Sequence, residues 1–204
     1  MIPTGFDYVR AKSLGDALKA INPKKGVKVV AGGHTLLPLL KLRLSEVTRL
    51  VDIGHLKELR GVTVQKTGAR IGAATTYREL LESRPLGERW PLIAEATAGI
   101  GDLQVRNRGT IGGGLAHADP AADMPAVMLA LDASFTLRSR RGKRTVRARD
   151  FFKDAFTTAM KPDELLVDIT LPAAPAGGGG GARAWRTSAS IRRPPATRSR
   201  ERPR

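Results

Sequence analysis

The order of apolar and polar residues predicts alternating helices and short strands over the first 172 residues. Apolar residues at helical spacing mark the first helix: Leu14, Ala17, Leu18 and Ile21. Ser13, with Asp16 three residues later, provides the N-terminal cap of that helix. The β-branched run 27–30 then predicts a strand. After an intervening glycine pair, the leucine-rich segment 35–44 predicts a second helix.

Short strands and capped helices continue to the middle of the chain. Strands are predicted at residues 50–53, 62–65 and 69–73. Thr76 with Glu79 forms a capping box for a helix through Leu81. Pro91 begins another helix over residues 92–98, and its mostly apolar surface predicts a buried position.

The second half of the chain adds a glycine-rich segment, a helix and a hairpin. A loop is expected over residues 109–114, where glycine predominates. Asp123 and Pro125 begin a helix whose apolar residues cover much of its circumference, so this helix is also expected to be buried. Residues 134–138 and 144–148 alternate in polarity and predict a β-hairpin.

The overall pattern predicts a mixed architecture that ends near residue 172. Residues 164–171 supply the last predicted strand. Helices among many short strands, some paired as hairpins, predict an α+β fold in two lobes, with residues 1–56 in the first and 57–176 in the second. Five consecutive glycines then precede an Arg-, Ser- and Pro-rich end, so residues 177–204 are expected to be disordered.

The composition limits the chemistry that the chain can perform alone. There is no cysteine, so an iron–sulphur cluster, a thiolate zinc site or a nucleophilic thiol must come from a partner. No run of about 18 apolar residues and no signal-peptide pattern occurs in the sequence, so a soluble, cytoplasmic protein without a transmembrane segment is expected.

The net charge of +16 raises the alternative of a nucleic-acid-binding protein. Residues 177–204 hold eight Arg and one Glu, a net +7, which leaves +9 for the rest. A second basic cluster surrounds the predicted hairpin: Arg138, Arg140, Arg141, Lys143, Arg144, Arg147 and Arg149. No aromatic residues interleave with this cluster for base stacking, so a solvated hairpin or a subunit-docking edge is favoured over a nucleic-acid site.

The turn after the strand at 27–30 is the first candidate ligand site. It consists of Ala31, Gly32, Gly33, His34, Thr35 and Leu36. Glycines let the backbone approach a ligand closely, and a helix start presents unpaired N–H groups that suit an anionic pyrophosphate. The alternative is an ordinary connection in which Thr35 caps the helix and His34 is a surface turn residue. The G-x-G-x-x-G dinucleotide motif is absent from this turn.

The glycine-rich segment 109–114 is the second candidate. It contains Thr110, Gly112, Gly113 and Gly114. These residues offer further backbone donors and a hydroxyl, so two glycine segments can form a clamp. Asp119 and Asp123 follow, and the alternative is that they act as caps before Pro120 and Pro125. No nucleophile or set of metal ligands accompanies these carboxylates, so no catalytic residue and no metal site is assigned.

Three motifs carry a family resemblance. They are AGGHTLLPLLKLRL at residues 31–44, RIGAATTYREL at 70–80 and AGIGDLQVRNRGTIGGGLAHADPAADMPAVMLALDA at 98–133. In this order they resemble the medium, FAD-binding subunit of molybdenum hydroxylases of the carbon monoxide dehydrogenase and xanthine dehydrogenase type. The resemblance covers residues 2 to about 172. It implies the two-lobed fold of vanillyl-alcohol oxidase-like (PCMH-type) flavoproteins, with FAD extended between the lobes.

The resemblance also implies roles for individual residues. Residues 31–36 would wrap the FAD pyrophosphate through backbone N–H groups, and Thr110 with the glycines at 112–114 would close over it from the second lobe. Asp123 corresponds to the family acid that contacts the dinucleotide. Ile100 lies where relatives place an apolar residue against the cofactor.

The implied enzyme divides its work among subunits. A large subunit with a molybdenum cofactor oxidises the substrate, two [2Fe–2S] clusters in a small subunit carry the electrons, and the flavin passes them to an acceptor. The absence of cysteine agrees with this division. The alternatives are a non-catalytic or defective nucleotide-binding fragment and, third, a basic nucleic-acid-binding protein.

The sequence departs from the family after residue 176. Relatives continue with a strand, a segment near the flavin ring and a C-terminal domain, and that domain is expected to be missing here. The composition of the last 28 residues is typical of a GC-rich gene read out of frame. A frameshift is therefore the hypothesis for this end of the chain.

Overall fold

Two β-sheets organise residues 2–174, the part of the chain that the computed structural model describes. The expectations of a disordered, frameshifted tail over 177–204 lie outside the described residues. The described part contains nine α-helices and ten strands, and the α+β prediction is confirmed. The division into lobes near residue 57 stays a prediction.

The first sheet contains three parallel strands in the order β1-β3-β2. They are β1 (Asp7–Arg10), β2 (Val27–Val30) and β3 (Arg49–Asp52). Parallel neighbours need crossover connections, which are supplied here by α1 (Leu14–Ala20) and α2 (Leu36–Lys41). Ser13 caps α1 as predicted, since its hydroxyl accepts a hydrogen bond from the amide of Asp16. Short 3₁₀ helices lie at Pro23–Lys25 and Lys57–Leu59.

The second sheet contains five antiparallel strands in the order β4-β5-β10-β6-β7. In chain order the strands of this half are β4 (Val62–Gln65), β5 (Gly68–Gly72), β6 (Ser134–Ser139), β7 (Gly142–Arg147), β8 (Phe152–Asp154), β9 (Thr157–Thr158) and β10 (Leu165–Pro172). β8 and β9 pair separately as a small ribbon. In the centre of the large sheet Ile169 pairs with Ile71 on one side and Phe135 on the other, and all three are fully buried. The predicted hairpin is confirmed.

Seven helices of this half follow the predicted positions only in part. They are α3 (Tyr77–Glu82), α4 (Arg84–Arg89), α5 (Pro91–Gly99), α6 (Leu103–Arg108), α7 (Ile111–His117), α8 (Asp123–Ala130) and α9 (Ala148–Phe151). The capping box is confirmed, because the Thr76 hydroxyl accepts from the Glu79 amide and the Glu79 carboxylate accepts from the Thr76 amide.

The helices depart from the sequence predictions at two places. The expected loop over 109–114 is wrong, since its last four residues begin α7. The reason is tertiary packing, because Gly112 lets this helix lie directly against Ala73. The prediction that α8 is buried holds only for Met124, Val127 and Met128, whereas Leu129 on the opposite face is 46% exposed. α5 likewise buries only Ile93 and Thr97.

The last strand, β10, joins the two main apolar cores. Leu166, Ile169 and Leu171 belong to the core formed with the second sheet and its helices. Leu165 and Val167 instead belong to the core that packs α1 against the first sheet. Successive side chains of a strand point to opposite faces, and a register shift between Leu166 and Asp168 moves this alternation by one residue, so that one strand serves both cores. β10 thereby fixes the first sheet next to the second.

None of the helices within residues 2–174 has the length and apolar character needed to cross a membrane. The described residues also contain no group of three His, Asp or Glu side chains that could hold a metal ion.

Candidate functional site

Two adjoining cavities lie between the first glycine turn and α7. The larger measures about 590 Å³ and the smaller about 310 Å³, sizes that ligand pockets commonly have. They share Tyr77, Ile100, Gly114 and Ala122, so they form one continuous cleft, which we call the glycine cleft.

The structure brings all twelve sequence-predicted site residues to this cleft. Eleven line the larger cavity: Ala31, Gly32, Gly33, His34, Thr35, Leu36, Ile100, Thr110, Gly112, Gly113 and Gly114. The twelfth, Asp123, lines the smaller cavity. Residues separated by more than 60 positions in sequence therefore meet at one site.

The first glycine turn presents a run of free backbone donors. Within residues 2–174, none of the N–H groups from Gly32 to Leu36 donates a hydrogen bond to another part of the chain. Thr35 precedes α2 but makes no side-chain hydrogen bond to it, so the alternative in which Thr35 only caps this helix is wrong. Gly33 turns the chain with a φ of +78°, a conformation that glycine adopts without strain. Consecutive amides around such a turn form a concave site for an anion.

The first glycine turn packs tightly against the segment that leads into α7. A side chain at Gly32 would overlap the carbonyl oxygen of Arg108 and lie 2.9 Å from the Cα of Gly109. Glycine at position 32 is therefore required for this backbone-to-backbone contact, which joins Gly32 and Gly109 in the wall of the larger cavity.

The glycines of α7 serve packing and not backbone donation. The amide of Ile111 donates to the Thr75 carbonyl at 3.0 Å, and that of Gly112 donates to the Ala73 carbonyl at 2.8 Å. The Gly113 amide donates to the Thr110 hydroxyl at 3.2 Å. A Cβ on Gly112 would lie 2.5 Å from the Cβ of Ala73, so α7 approaches β5 this closely only with glycine. Tertiary packing thus overrides the low helix propensity of three consecutive glycines.

Arg106 fixes the wall that carries Ile100. Its guanidinium donates to the carbonyls of Ile100 at 2.9 Å, Gly101 at 3.3 Å and Ala98 at 3.4 Å. These oxygens end α5, so the arginine caps that helix from α6 and holds Ile100 at the junction of the two cavities. Sequence reasoning missed this residue, because α6 itself was not predicted.

Tyr77 was also missed. It lines both cavities and is 7% exposed, and its hydroxyl has no hydrogen-bond partner among residues 2–174. Burial raises the pKa of Tyr77 to about 12. A sequence signal for Tyr77 did exist: it follows the two threonines of the second motif and begins the helix that Thr76 caps. Only Thr76 and Glu79 were interpreted there, as a capping box.

The acidic and imidazole side chains near the cleft differ in their bonding. The Asp119 carboxylate accepts a hydrogen bond from the Ala121 amide at 2.8 Å, which agrees with the alternative that Asp119 caps a turn. Asp123 begins α8 without capping it, and its exposed carboxylate has no partner among the described residues. His34 is exposed and its Nδ1 lies 3.2 Å from the Gly32 carbonyl oxygen, the local contact of a surface turn residue.

The basic hairpin is partly neutralised by acidic neighbours. Arg144 binds Glu164 through two hydrogen bonds of 2.7 Å, and this contact with Arg144 holds the pKa of Glu164 below its usual range. Arg141 pairs with Asp163. Arg147 and Arg149 both pair with Asp132. These pairs place four of the seven basic side chains against the chain's own carboxylates.

Known proteins are similar to this chain in sequence and in fold. The medium chain of glyceraldehyde dehydrogenase from Sulfolobus acidocaldarius is 45% identical over 172 residues, which cover 84% of this chain and 61% of the relative. The structure of carbon monoxide dehydrogenase from Hydrogenophaga pseudoflava contains a chain that is 44% identical with a TM-score of 0.83, covering 87% of this chain and 62% of that one. Quinoline 2-oxidoreductase from Pseudomonas putida 86 is 34% identical with a TM-score of 0.82, at 86% and 61% coverage.

The chain thus spans about three fifths of the length of these relatives. The family described as the FAD binding domain in molybdopterin dehydrogenase matches residues 4–174, which is nearly all of the described part. The resemblance noted from the three motifs is confirmed, and the chain belongs to the family of FAD-binding domains of molybdopterin dehydrogenases.

Proposed function

We propose that the chain binds FAD in the glycine cleft, with the pyrophosphate on the backbone amides of residues 32–36. The observation that carries this proposal is the run of amides from Gly32 to Leu36, which donate to no other atom in residues 2–174. Backbone N–H groups rarely stay without a partner, and an anion with several acceptor oxygens satisfies such a run.

The remaining predicted residues would shape the rest of the cleft. The close-packed glycines at 112–114 let the cofactor lie against the start of α7, and the Thr110 hydroxyl adds a polar group there. The unpaired carboxylate of Asp123 can accept hydrogen bonds from sugar hydroxyls in the smaller cavity. Ile100, held by Arg106, provides an apolar surface between the two cavities.

The role that fits this cleft is electron transfer within a multi-subunit molybdenum hydroxylase. Bound FAD supplies the redox chemistry, which belongs to the cofactor, while the protein binds it, orients it and limits its contact with water. Since the chain has no cysteine, the electrons must arrive from clusters in another protein. We assign the partners as a [2Fe–2S] small subunit and a large subunit with the molybdenum cofactor, in the cytoplasm, with an external acceptor receiving the electrons.

Titration of the full chain with FAD and with riboflavin tests this proposal. Quenching of flavin fluorescence should reveal saturable FAD binding, and riboflavin, which has no phosphate, should bind at least ~10-fold more weakly, because charge-assisted hydrogen bonds each contribute about 1.5–3 kcal/mol. Absence of saturable FAD binding, or equal affinity for both ligands, would contradict the proposed pyrophosphate site.

A pair of glycine variants locates the site. Gly33→Ala strains a turn at φ +78° inside the cleft, and Gly61→Ala strains a turn at φ +96° that does not line it. FAD affinity should fall in the Gly33 variant and stay near the wild-type value in the Gly61 variant. Equal losses would show that the effect is general destabilisation and would remove the support for this turn.

A further inference from the structure

The phenol ring of Tyr77 lies between α3 and the start of α7. Its Cδ2 and Cε2 atoms would be 3.1 Å from a Cβ on Gly109, and its hydroxyl would overlap a Cβ on Gly114. Gly109 is buried and Gly114 lines both cavities. The two glycines thus leave room for the ring and aim its hydroxyl at the place where the larger and smaller cavities join.

The hydroxyl contributes no hydrogen bond to the described fold. The ring of Tyr77 is buried, with the residue 7% exposed, and none of the hydrogen bonds within residues 2–174 involves its hydroxyl. The oxygen is open to the cleft, since Tyr77 lines both cavities and this atom is not fully enclosed by protein. The hydroxyl is therefore available to a molecule that binds in the cleft.

The protonation state of this hydroxyl defines what it can bind. Because burial raises the pKa of Tyr77 to about 12, the phenol is protonated and neutral near pH 7. Its O–H is then free to donate to an acceptor oxygen. The neighbouring Gly114 amide cannot supply this donor, because it already donates to the Thr110 carbonyl at 3.1 Å.

We propose that Tyr77 donates a hydrogen bond to an acceptor oxygen of bound FAD at the junction of the two cavities. The inference rests on the proposed function, since it takes FAD as the ligand of the glycine cleft. It adds a binding residue that acts through a side chain, in contrast to the backbone amides of residues 32–36. The acceptor is an oxygen of either the pyrophosphate or the riboflavin half.

The matched variants are Tyr77→Phe and Tyr8→Phe, which together cover both tyrosines of the chain. The Tyr8 hydroxyl donates to Asp52 at 2.5 Å, and Tyr8 does not line either cavity. Tyr77→Phe should raise the Kd for FAD by about 5- to 20-fold, the loss of one hydrogen bond to a polar or charged acceptor. Tyr8→Phe should leave the Kd unchanged.

Thermal unfolding of the ligand-free variants separates binding from folding. Because the Tyr77 hydroxyl has no partner in the described chain, Tyr77→Phe should keep the unfolding temperature of the free protein or raise it. A lowered unfolding temperature with a proportionate loss of FAD affinity would indicate a structural role and would overturn the inference.

Titrations with ADP and riboflavin locate the acceptor. A loss of affinity in Tyr77→Phe for ADP identifies the pyrophosphate, and a loss for riboflavin identifies the flavin half. If wild-type protein binds FAD and Tyr77→Phe binds it equally well, the inference on Tyr77 fails while the proposed function stands. If the wild-type protein binds no FAD, the proposed function itself fails.

Discussion

Gly32 lies directly against the carbonyl oxygen of Arg108, so closely that any side chain at position 32 would overlap that oxygen. This contact joins the turn after β2 to the segment that enters α7, and it therefore brings the two glycine segments to one cleft. The partner is backbone, which cannot move aside as a flexible side chain can. The close approach explains why glycine is needed at a position whose φ is not in the left-handed region.

Gly32→Ala is expected to destabilise the protein by about 1–3 kcal/mol, the usual cost of forcing extra atoms into a packed region. Urea unfolding of the ligand-free chain measures this change. Gly5→Ala is the control, because a Cβ there meets nothing within 4 Å. Equal unfolding midpoints for wild type, Gly32→Ala and Gly5→Ala would contradict the contact between Gly32 and Arg108.

Arg106→Met is expected to loosen the end of α5. The variant removes three hydrogen bonds to the carbonyls of Ala98, Ile100 and Gly101. The Ile100 amide reports on this turn, because it donates to the Thr97 carbonyl at 3.2 Å and exchanges only when the end of α5 opens. Hydrogen exchange at the Ile100 amide should become about 5- to 10-fold faster, which corresponds to a loss of about 1 kcal/mol of local stability.

Arg108→Met provides the matched control for that measurement. Arg108 lies on the same helix, is exposed and makes no side-chain hydrogen bond to the described residues. Its replacement should leave exchange at Ile100 unchanged. Similar acceleration in both variants would mean that α6 as a whole, and not the Arg106 guanidinium, protects this turn.

The sequence predicted the local elements that follow a strong periodic or capping signal. Ser13 and the Thr76 box mark the helices that they cap, and the β-branched run at 27–30 is β2. β1 was missed because all four of its residues are exposed at a sheet edge, so no alternation of polarity marks it. Its position follows from parallel pairing with β3, a contact between distant parts of the chain.

The site residues came from the family motifs, and their physical roles came from the structure. Glycine at 112 was interpreted as a loop former, but it lies in a helix because of the distance to Ala73. Whether an amide is free or already bonded depends on tertiary contacts, so the difference between the first glycine turn and α7 has no sequence signal. Tyr77 illustrates the same limit, since its burial and its unpartnered hydroxyl depend on Gly109 and Gly114.

The ion pair between Arg144 and Glu164 is expected to give a pH-dependent stability. Glu164 is nearly buried, and its pKa is lowered by the hydrogen bonds from Arg144, aided by the Lys161 amide. A carboxylate with a lowered pKa in the folded state stabilises the protein above the unfolded value of about 4.3, and this contribution is lost as the pH falls through the folded pKa.

Arg144→Met should therefore lower the free energy of unfolding by about 1–3 kcal/mol at pH 7, because it leaves a buried carboxylate without its cation. This range allows for solvent screening of the pair, since the Arg144 side chain is 36% exposed. The difference from wild type should shrink at an acid pH, as the pH falls through the lowered folded pKa of Glu164 and the carboxylate takes up a proton. Urea unfolding at both pH values measures it, with Arg138→Met as the control, since Arg138 is exposed and has no ion pair among the described residues. A difference that does not depend on pH would rule out the ion pair as its source.

Thr110 combines a folding role with a position in the cleft, and two variants separate them. Its hydroxyl accepts from the Gly113 amide and so caps α7, while the hydroxyl proton stays available to a ligand in the larger cavity. Thr110→Val should lower the free energy of unfolding of the ligand-free chain by about 1 kcal/mol and weaken FAD binding, because both the cap and the donor are lost. Thr110→Ser keeps the hydroxyl and should restore both properties, apart from a small packing loss at this 4% exposed site.

Parallel urea unfolding and FAD titration of the two variants show whether the Thr110 hydroxyl contacts the ligand. If serine restores stability without restoring affinity, the threonine methyl group contributes to binding through packing and the hydroxyl is not a ligand contact.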